Sequence, residues 1–425
     1  MSLTVAPEDV LVALPLWPDP DELDEINLDY AATTPALVAA VRAVERAIPW
    51  YASLHRGGGR KSSVSTTLFE EARAAVARFV SCEDASDVIF VRNTTEAANL
   101  LAAALPSGTR VLCSPSEHHA NLLPWRRHRV DHLPFTTSAA AFLDAAAKSL
   151  EAAHRSGDPF SLVAITGASN VTGEVPPVAE LARLAHGRGA LVFVDGAQLA
   201  PHRPLDVGVL DVDFLAFSGH KIYAPFGTGA LVSRAGGLAD GSPLLHGGGA
   251  VRLVTLNDAA WAPSPRRYEA GTPNLLGAVA LGAACNALTA FGMEEVAAQE
   301  RALASVLWAG LDAIPGVHQL RQWRDAPDRV GVAAFTADGW AAHELGAHLG
   351  ARGIAVRAGS FCAHPLVSHL LGIAPSHTDR LLREISDGGD VSIPGAVRAS
   401  VGLGTTRAEI DTFLRVVREA LAATT

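Results

Sequence analysis

Short apolar runs recur along this chain at intervals filled by helical periodicity, and each run stops at polar residues. Asp87–Val91, Arg110–Cys113, Leu162–Thr166, Ala190–Val194, Phe214–Phe217 and Gly229–Val232 are too short for buried helices and too uniformly apolar for half-solvated strands. They read as strands covered on both faces, which is the pattern of a mostly parallel sheet in an α/β fold. Helical stretches separate them: one from Pro35 through Val38, Val41 and Val44, one from about Thr66 to Phe79, one from Thr95 to Leu105 and one from Val178 to His186. Tyr51–Ser65, rich in Gly, Arg and Ser, reads as a loop. Polar residues gather just past the strand ends, where open α/β sheets hold their ligands.

The second half changes character. Beyond Gly271 an alanine-rich helical region extends to about Ile314, and a helix over Ala341–Gly350 leads through Ile354–Val356 into a loop from Arg357 to Pro365. A final helix spans Thr406–Ala422, with Ile410, Phe413, Leu414, Val417 and Leu421 on one face. The expected organisation is an N-terminal arm over residues 1–27, a large domain over 28–300 and a smaller α+β domain over 301–425.

Composition narrows the function. A formal charge of -10 speaks against gripping a nucleic-acid backbone, and no apolar stretch of membrane-spanning length is present. The acidic start around Glu8, Asp9 and Asp19–Glu25 does not resemble an export signal, so a cytoplasmic protein is expected. Four scattered cysteines, at 82, 113, 285 and 362, suggest neither a disulfide framework nor a metal cluster. Lys61, Lys148 and Lys221 are the only lysines.

The chemistry-bearing residues sit at the strand ends. Asp195 directly follows one buried strand and Lys221 follows the next, in the turn Ser218–Gly219–His220–Lys221. An acid opposite a pyridine nitrogen and a lysine for an aldehyde are what pyridoxal phosphate requires, although a strand-end aspartate and a solvated lysine fit the same spacing. Thr94–Thr95–Glu96 opens a helix, where backbone N–H groups and hydroxyls suit either a phosphate or simple N-capping.

Several motifs in order then give a resemblance. Asn27–Leu28–Asp29–Tyr30–Ala31–Ala32, Arg92–Asn99, Glu117–His118–His119–Ala120–Asn121, Ser169–Gly173, Asp195–Gln198, Phe217–Lys221 and Tyr268–Pro273 together resemble the class V aminotransferase-fold enzymes (fold type I), especially the SufS-like branch of cysteine desulfurases and selenocysteine lyases. The resemblance implies a mostly parallel seven-stranded sheet and a pyridoxal 5'-phosphate cofactor. It implies that Lys221 binds the cofactor covalently and moves protons, that Asp195 meets the ring nitrogen, that His118 stacks on the ring and that Gln198 approaches its phenolic oxygen. Thr94 and Thr95, Ser218 and His220 become phosphate-side residues, and Thr272 one that reaches a partner subunit's phosphate in a homodimer with shared sites.

Asn170 is expected near cofactor and substrate, Arg398 on the substrate carboxylate, and Arg357 on the substrate side or beside the thiol. By the same resemblance Cys362 takes sulfur from L-cysteine as a persulfide, leaving L-alanine, and passes it to a SufE-like or SufU-like acceptor. Another class V reaction on a small amino acid (carbon–sulfur lyase, aminotransferase or epimerase) is the alternative, because the scaffold hosts them all. The family's histidine-rich residues before this cysteine are replaced here by Ser360 and Phe361.

Overall fold

The computed structural model describes residues 16–17, 25–234, 237–238 and 241–423, so most of the arm expected over residues 1–27, with Pro15, Pro18 and Pro20, lies outside the described residues. The central sheet has seven strands. From one edge they are Val88–Val91, Gly229–Ser233, Phe214–Ser218, Leu191–Asp195, Leu162–Thr166, Arg110–Cys113 and Arg129–His132. All run in one direction except Gly229–Ser233, which pairs antiparallel with both neighbours.

Successive residues of these strands enter two separate cores, as the two-residue repeat of a strand requires. Val163, Ile165, Val192, Val194, Leu215 and Phe217 pack on one face with Phe69, Val76, Leu181 and Val279. Leu162, Ala164, Phe193, Phe214 and Ala216 pack on the other with Ala97, Leu101 and Trp125. Both faces are buried over the six strands other than the exposed edge strand Arg129–His132, which explains why those six are largely apolar rather than alternating.

A third core gathers Leu28, Leu307, Leu311, Phe335, Val397, Phe413 and Val417. It lies against a four-stranded antiparallel sheet ordered Val317–Gln319, Val332–Ala337, Ala396–Ser400 and Arg357–Gly359. The short strand Ile26–Asn27 joins this part of the molecule by pairing parallel with Ile354–Ala355.

Three elements differ from the sequence expectation. The helix expected from Thr66 begins at Arg60, because the serines that read as loop are helical and satisfied: Ser62 Oγ donates to Ser53 O at 2.6 Å and Ser65 Oγ to Trp50 O at 2.6 Å. The long alanine-rich region is two helices, Leu275–Phe291 and Met293–Asp312, meeting at 79° where Gly292 takes φ +101. Arg357–Gly359, expected as loop, is an edge strand. No single helix among the described residues is long and apolar enough to cross a membrane.

The helices Arg60–Phe79 and Leu275–Phe291 cross at Gly282, where an added Cβ would stand 2.7 Å from Ala72 Cα. Gly282→Val is therefore expected to lower stability by about 1–3 kcal/mol in urea unfolding followed by circular dichroism. Unchanged stability would mean that the crossing relaxes freely.

Candidate active site

A cavity of about 470 Å³ opens at the strand ends of the large sheet, between that sheet and the smaller one. Thr166, Asp195 and Ser218 line it from the last positions of neighbouring strands, and Lys221 from the 3-10 turn Gly219–Lys221 that follows. Asn93, Thr94 and Thr95 enter from the start of the helix Thr94–Ala104. Arg357 and Arg398 close it from the smaller sheet, and Cys362 from the turn after Arg357–Gly359.

The large-sheet side carries one amine and one carboxylate. Desolvation by the cavity walls disfavours the Lys221 ammonium and draws its pKa down to about 8, against the opposing pull of Asp195. Burial pushes the Asp195 carboxyl up, opposed by the Ala197 N–H that Oδ1 accepts at 2.9 Å and by Lys221. His118 is drawn down to about 3 by burial and by Lys221, so its ring is neutral. Its Nδ1 accepts from Ala120 N at 3.0 Å, which assigns the ring proton to Nε2.

Polar groups on this side are arranged for a ligand with both ring and anion. Gln198 Nε2 donates to Ala31 O at 2.6 Å, while its buried Oε1 has no partner among the described residues. Asn93 Oδ1 caps Glu96 N at 3.0 Å, and Ser218 Oγ accepts from Thr94 N at 2.9 Å. Thr95, in the same first turn, faces the cavity, where helix N–H groups favour an anion. His220 lines it beside Thr33, its Nδ1 3.1 Å from Thr33 Oγ1, and burial holds it neutral with a pKa near 4. The orphaned Gln198 oxygen, the under-partnered buried carboxylate and the neutral flat imidazole fit a pyridinium-phosphate cofactor.

The small-sheet side carries two arginines. Arg398 is buried on Ala396–Ser400, with Nη1 donating to Asn170 O at 3.0 Å, Nη2 3.1 Å from Asp29 Oδ1, and Nε buried without a partner among the described residues. Burial lowers its pKa to about 10, with Asp29 opposing. Arg357 sits opposite it in register and is half exposed, with Nη2 2.8 Å from Asp29 Oδ2. The expectation that Arg357 faces the substrate or the thiol meets this geometry: it lines the cavity, but its hydrogen bonds go to Asp29.

Cys362 is exposed at the cavity edge, on a turn where Phe361 and Cys362 take φ +52 and +54. Outside bonds hold this left-handed pair. Asn170 Nδ2 donates to Phe361 O at 2.7 Å and His119 N donates to Cys362 O at 2.7 Å. His119 and His364 then stack at 4.8 Å with Nε2 and Nδ1 3.0 Å apart, and Phe361 lies under the Arg398 guanidinium at 5.1 Å.

Every residue proposed from the sequence lines this cavity except Thr272, which is exposed and borders a separate cavity of about 360 Å³ with His55, Arg56 and Arg266. Asp29, Phe361 and the His119–His364 pair carry no assignment in the sequence reading, although each lies within a motif quoted above. Their roles depend on contacts between segments hundreds of residues apart, for which spacing holds no signal.

The Aminotransferase class-V family model matches residues 26–413. Over 409 residues the chain is 36% identical to a probable cysteine desulfurase of Halobacterium salinarum, covering 93% of this chain and 92% of that one. Among solved structures, the apo cysteine desulfurase from Thermococcus onnurineus NA1 aligns with TM-score 0.83 and 30% identity over 100% of both chains. The cysteine desulfurase CsdA of Escherichia coli, in an S-sulfonic acid form, aligns with TM-score 0.80 and 30% identity over 95% of this chain and 96% of that one.

The low pKa of Lys221 has a direct readout in cofactor-free protein. Because burial disfavours the cation, its reductive methylation should rise with a midpoint near pH 8 rather than the ordinary 10.5, followed site by site by mass spectrometry. Asp195→Asn removes the group that favours the cation and should move the midpoint lower still. A profile centred at 10.5 would show that the amine is fully solvated.

Proposed function

The chain belongs to the class V aminotransferase family, and on that premise we propose that it is a pyridoxal-phosphate-dependent cysteine desulfurase, converting L-cysteine to L-alanine, and acting on L-selenocysteine by the same chemistry. The observation that carries this reading is the exposed Cys362 thiol, set on a left-handed turn at the edge of the cavity that also holds Lys221, Asp195 and Arg398.

Bound in this cavity, pyridoxal phosphate would supply an aldehyde for the substrate amine and an electron sink for the bonds broken at its carbon skeleton. Asp195 would hold a negative charge against its ring nitrogen, the neutral His118 ring would cover its face, and Gln198 would meet its phenolic oxygen. Thr94, Thr95, Ser218 and His220 would hold its phosphate, with Thr94 acting through its hydrogen bond to Ser218 Oγ, 2.8 Å between the hydroxyls. Arg398 takes the substrate carboxylate through guanidinium N–H groups left unfilled, and Asn170 steadies that arginine through its carbonyl.

Lys221 Nζ, neutral at mildly alkaline pH, removes the Cα proton and later returns a proton to the same carbon skeleton. The Cys362 thiolate attacks the substrate sulfur. The S–S bond forms as the Cβ–S bond breaks, the electron pair stays with the carbon skeleton, and protonation there completes alanine. The persulfide left on Cys362 stands where a thiol acceptor, a SufE-like or SufU-like protein, can reach it.

Two further readings belong to this proposal. A homodimer with shared sites is supported by Thr272, which is exposed and lines a cavity other than the one that holds Lys221 of its own chain. A cytoplasmic, reducing setting is supported by four unpaired cysteines.

L-Cysteine turnover with dithiothreitol as acceptor tests the proposal, following alanine and sulfide. The wild type should form both, and Cys362→Ser should lose alanine formation by on the order of 100-fold or more. Lys221→Ala should lose the visible absorbance of the covalent linkage. Pyruvate or a keto acid in place of alanine would overturn the desulfurase reading.

A further inference from the structure

The peptide that carries Cys362 is tied twice to one residue of the large-sheet side, His119. The His119 backbone N–H donates to Cys362 O at 2.7 Å, and its ring Nε2 lies 3.0 Å from His364 Nδ1 and 3.4 Å from His364 N. The two imidazoles are nearly parallel, 19° apart with centroids at 4.8 Å. These bonds straddle the thiol, one on the carbonyl of its own residue and the others just beyond it. His119 opens the 3-10 turn His119–Asn121, directly after His118, which lines the cavity.

Both contacts from His364 end on the same ring nitrogen of His119. A backbone N–H can only donate, so that nitrogen accepts, the His119 proton belongs on Nδ1, and His364 offers its own N–H at Nδ1. Burial, His364 and Arg126 all draw the His119 pKa down, which keeps the accepting lone pair free. On the other side of the thiol, Asn170 Nδ2 donates to Phe361 O at 2.7 Å and Ala363 N to Ser360 O at 2.8 Å. Ala363 is buried but Cys362 is exposed, so these bonds rather than packing set the direction of its Cα–Cβ bond.

We infer that His119 and His364 are positioning residues for sulfur transfer: as a hydrogen-bonded pair they hold the Cys362 thiol where it reaches the substrate sulfur, and they take no part in the chemistry at Cα. The inference rests on the reading of Cys362 as the nucleophile that accepts sulfur. In that step the thiolate forms the S–S bond as the Cβ–S bond breaks and its electron pair passes to the carbon skeleton. The attacking sulfur must stand in line with the bond it breaks, so a small misplacement is costly. Proton removal at Cα makes no such demand on Cys362, because Lys221 acts from the turn Gly219–Lys221 at the large sheet. Loosening the pair therefore slows one step and spares the other.

Two rates in the cofactor-loaded enzyme test this: alanine formation from L-cysteine, which uses both steps, and exchange of the L-alanine Cα hydrogen in deuterium oxide, followed by NMR, which uses Lys221 and not Cys362. His364→Ala is expected to slow alanine formation about tenfold while exchange stays within about twofold of wild type. His364→Gln, whose amide N–H can donate to His119 Nε2, is expected to recover most of the lost rate. Circular dichroism checks folding. Should His364→Ala fail to fold, His119→Ala carries the same comparison, since it removes the ring and keeps the backbone N–H on Cys362 O. Wild-type alanine formation in folded His364→Ala, or exchange falling in step with it, would overturn the inference while leaving the desulfurase reading intact. Alanine formation that survives Cys362→Ser unchanged would overturn the nucleophile reading, and this inference with it.

Discussion

A buried amine facing a buried carboxylate at adjacent strand ends is the constraint around which this molecule is arranged. Burial works against both charges, drawing the Lys221 amine down and the Asp195 carboxyl up, and each offsets part of the other's penalty. That compensation holds only if Leu191–Asp195 and Phe214–Ser218 are parallel neighbours, as the register of Asp195 against Ala216 makes them. The chain must then turn within three residues to bring Lys221 back. Gly219 makes this feasible: its N–H bonds to Thr228 O at 2.9 Å, and any Cβ there would run into the same carbonyl. The apolar runs flanking these residues supply the dry surroundings that give the two charges their perturbed affinities for protons.

The smaller sheet adds what the large one lacks, a cationic fork and a thiol. Two successive non-glycine residues at positive φ, Phe361 and Cys362, each cost about 1–2 kcal/mol of backbone strain. Bonds from Asn170 and His119, both in loops of the large sheet, offset it. The thiol is therefore held by the half of the molecule that surrounds the amine, although its own peptide belongs to the other half.

Six of the seven strands of the large sheet were legible because they are buried and apolar, as in Leu162–Thr166, whereas the exposed edge strand Arg129–His132 carries no such signal. The helix over Arg60–Phe79 was legible only from its apolar half. Its first two turns hold Ser62 and Ser65, whose hydroxyls are satisfied by the preceding loop, a tertiary event that composition disguises as a turn. The bend at Gly292 and the strand at Arg357–Gly359 were hidden for related reasons: alanine is helical through both halves of the bend, and a three-residue edge strand carries no periodicity. At the site, Lys221 and Asp195 could be found from strand ends and motif order. Asp29 could not be given a role, since its partners lie 328 and 369 residues away and only the folded register reveals them.

Phe361 also acquires a physical meaning from the folded state. Phe361 places an aromatic face 5.1 Å from the Arg398 guanidinium and is itself 7% exposed, so it shields that cation from water without competing for its hydrogen bonds. A histidine there would bring its own protonation next to a buried arginine. Asn170 then ties the pieces together, its amide on Phe361 O and its carbonyl on Arg398 Nη1. Arginine, aromatic ring and thiol turn thus share one asparagine, and none of them can shift alone without giving up a buried hydrogen bond worth about 0.5–3 kcal/mol.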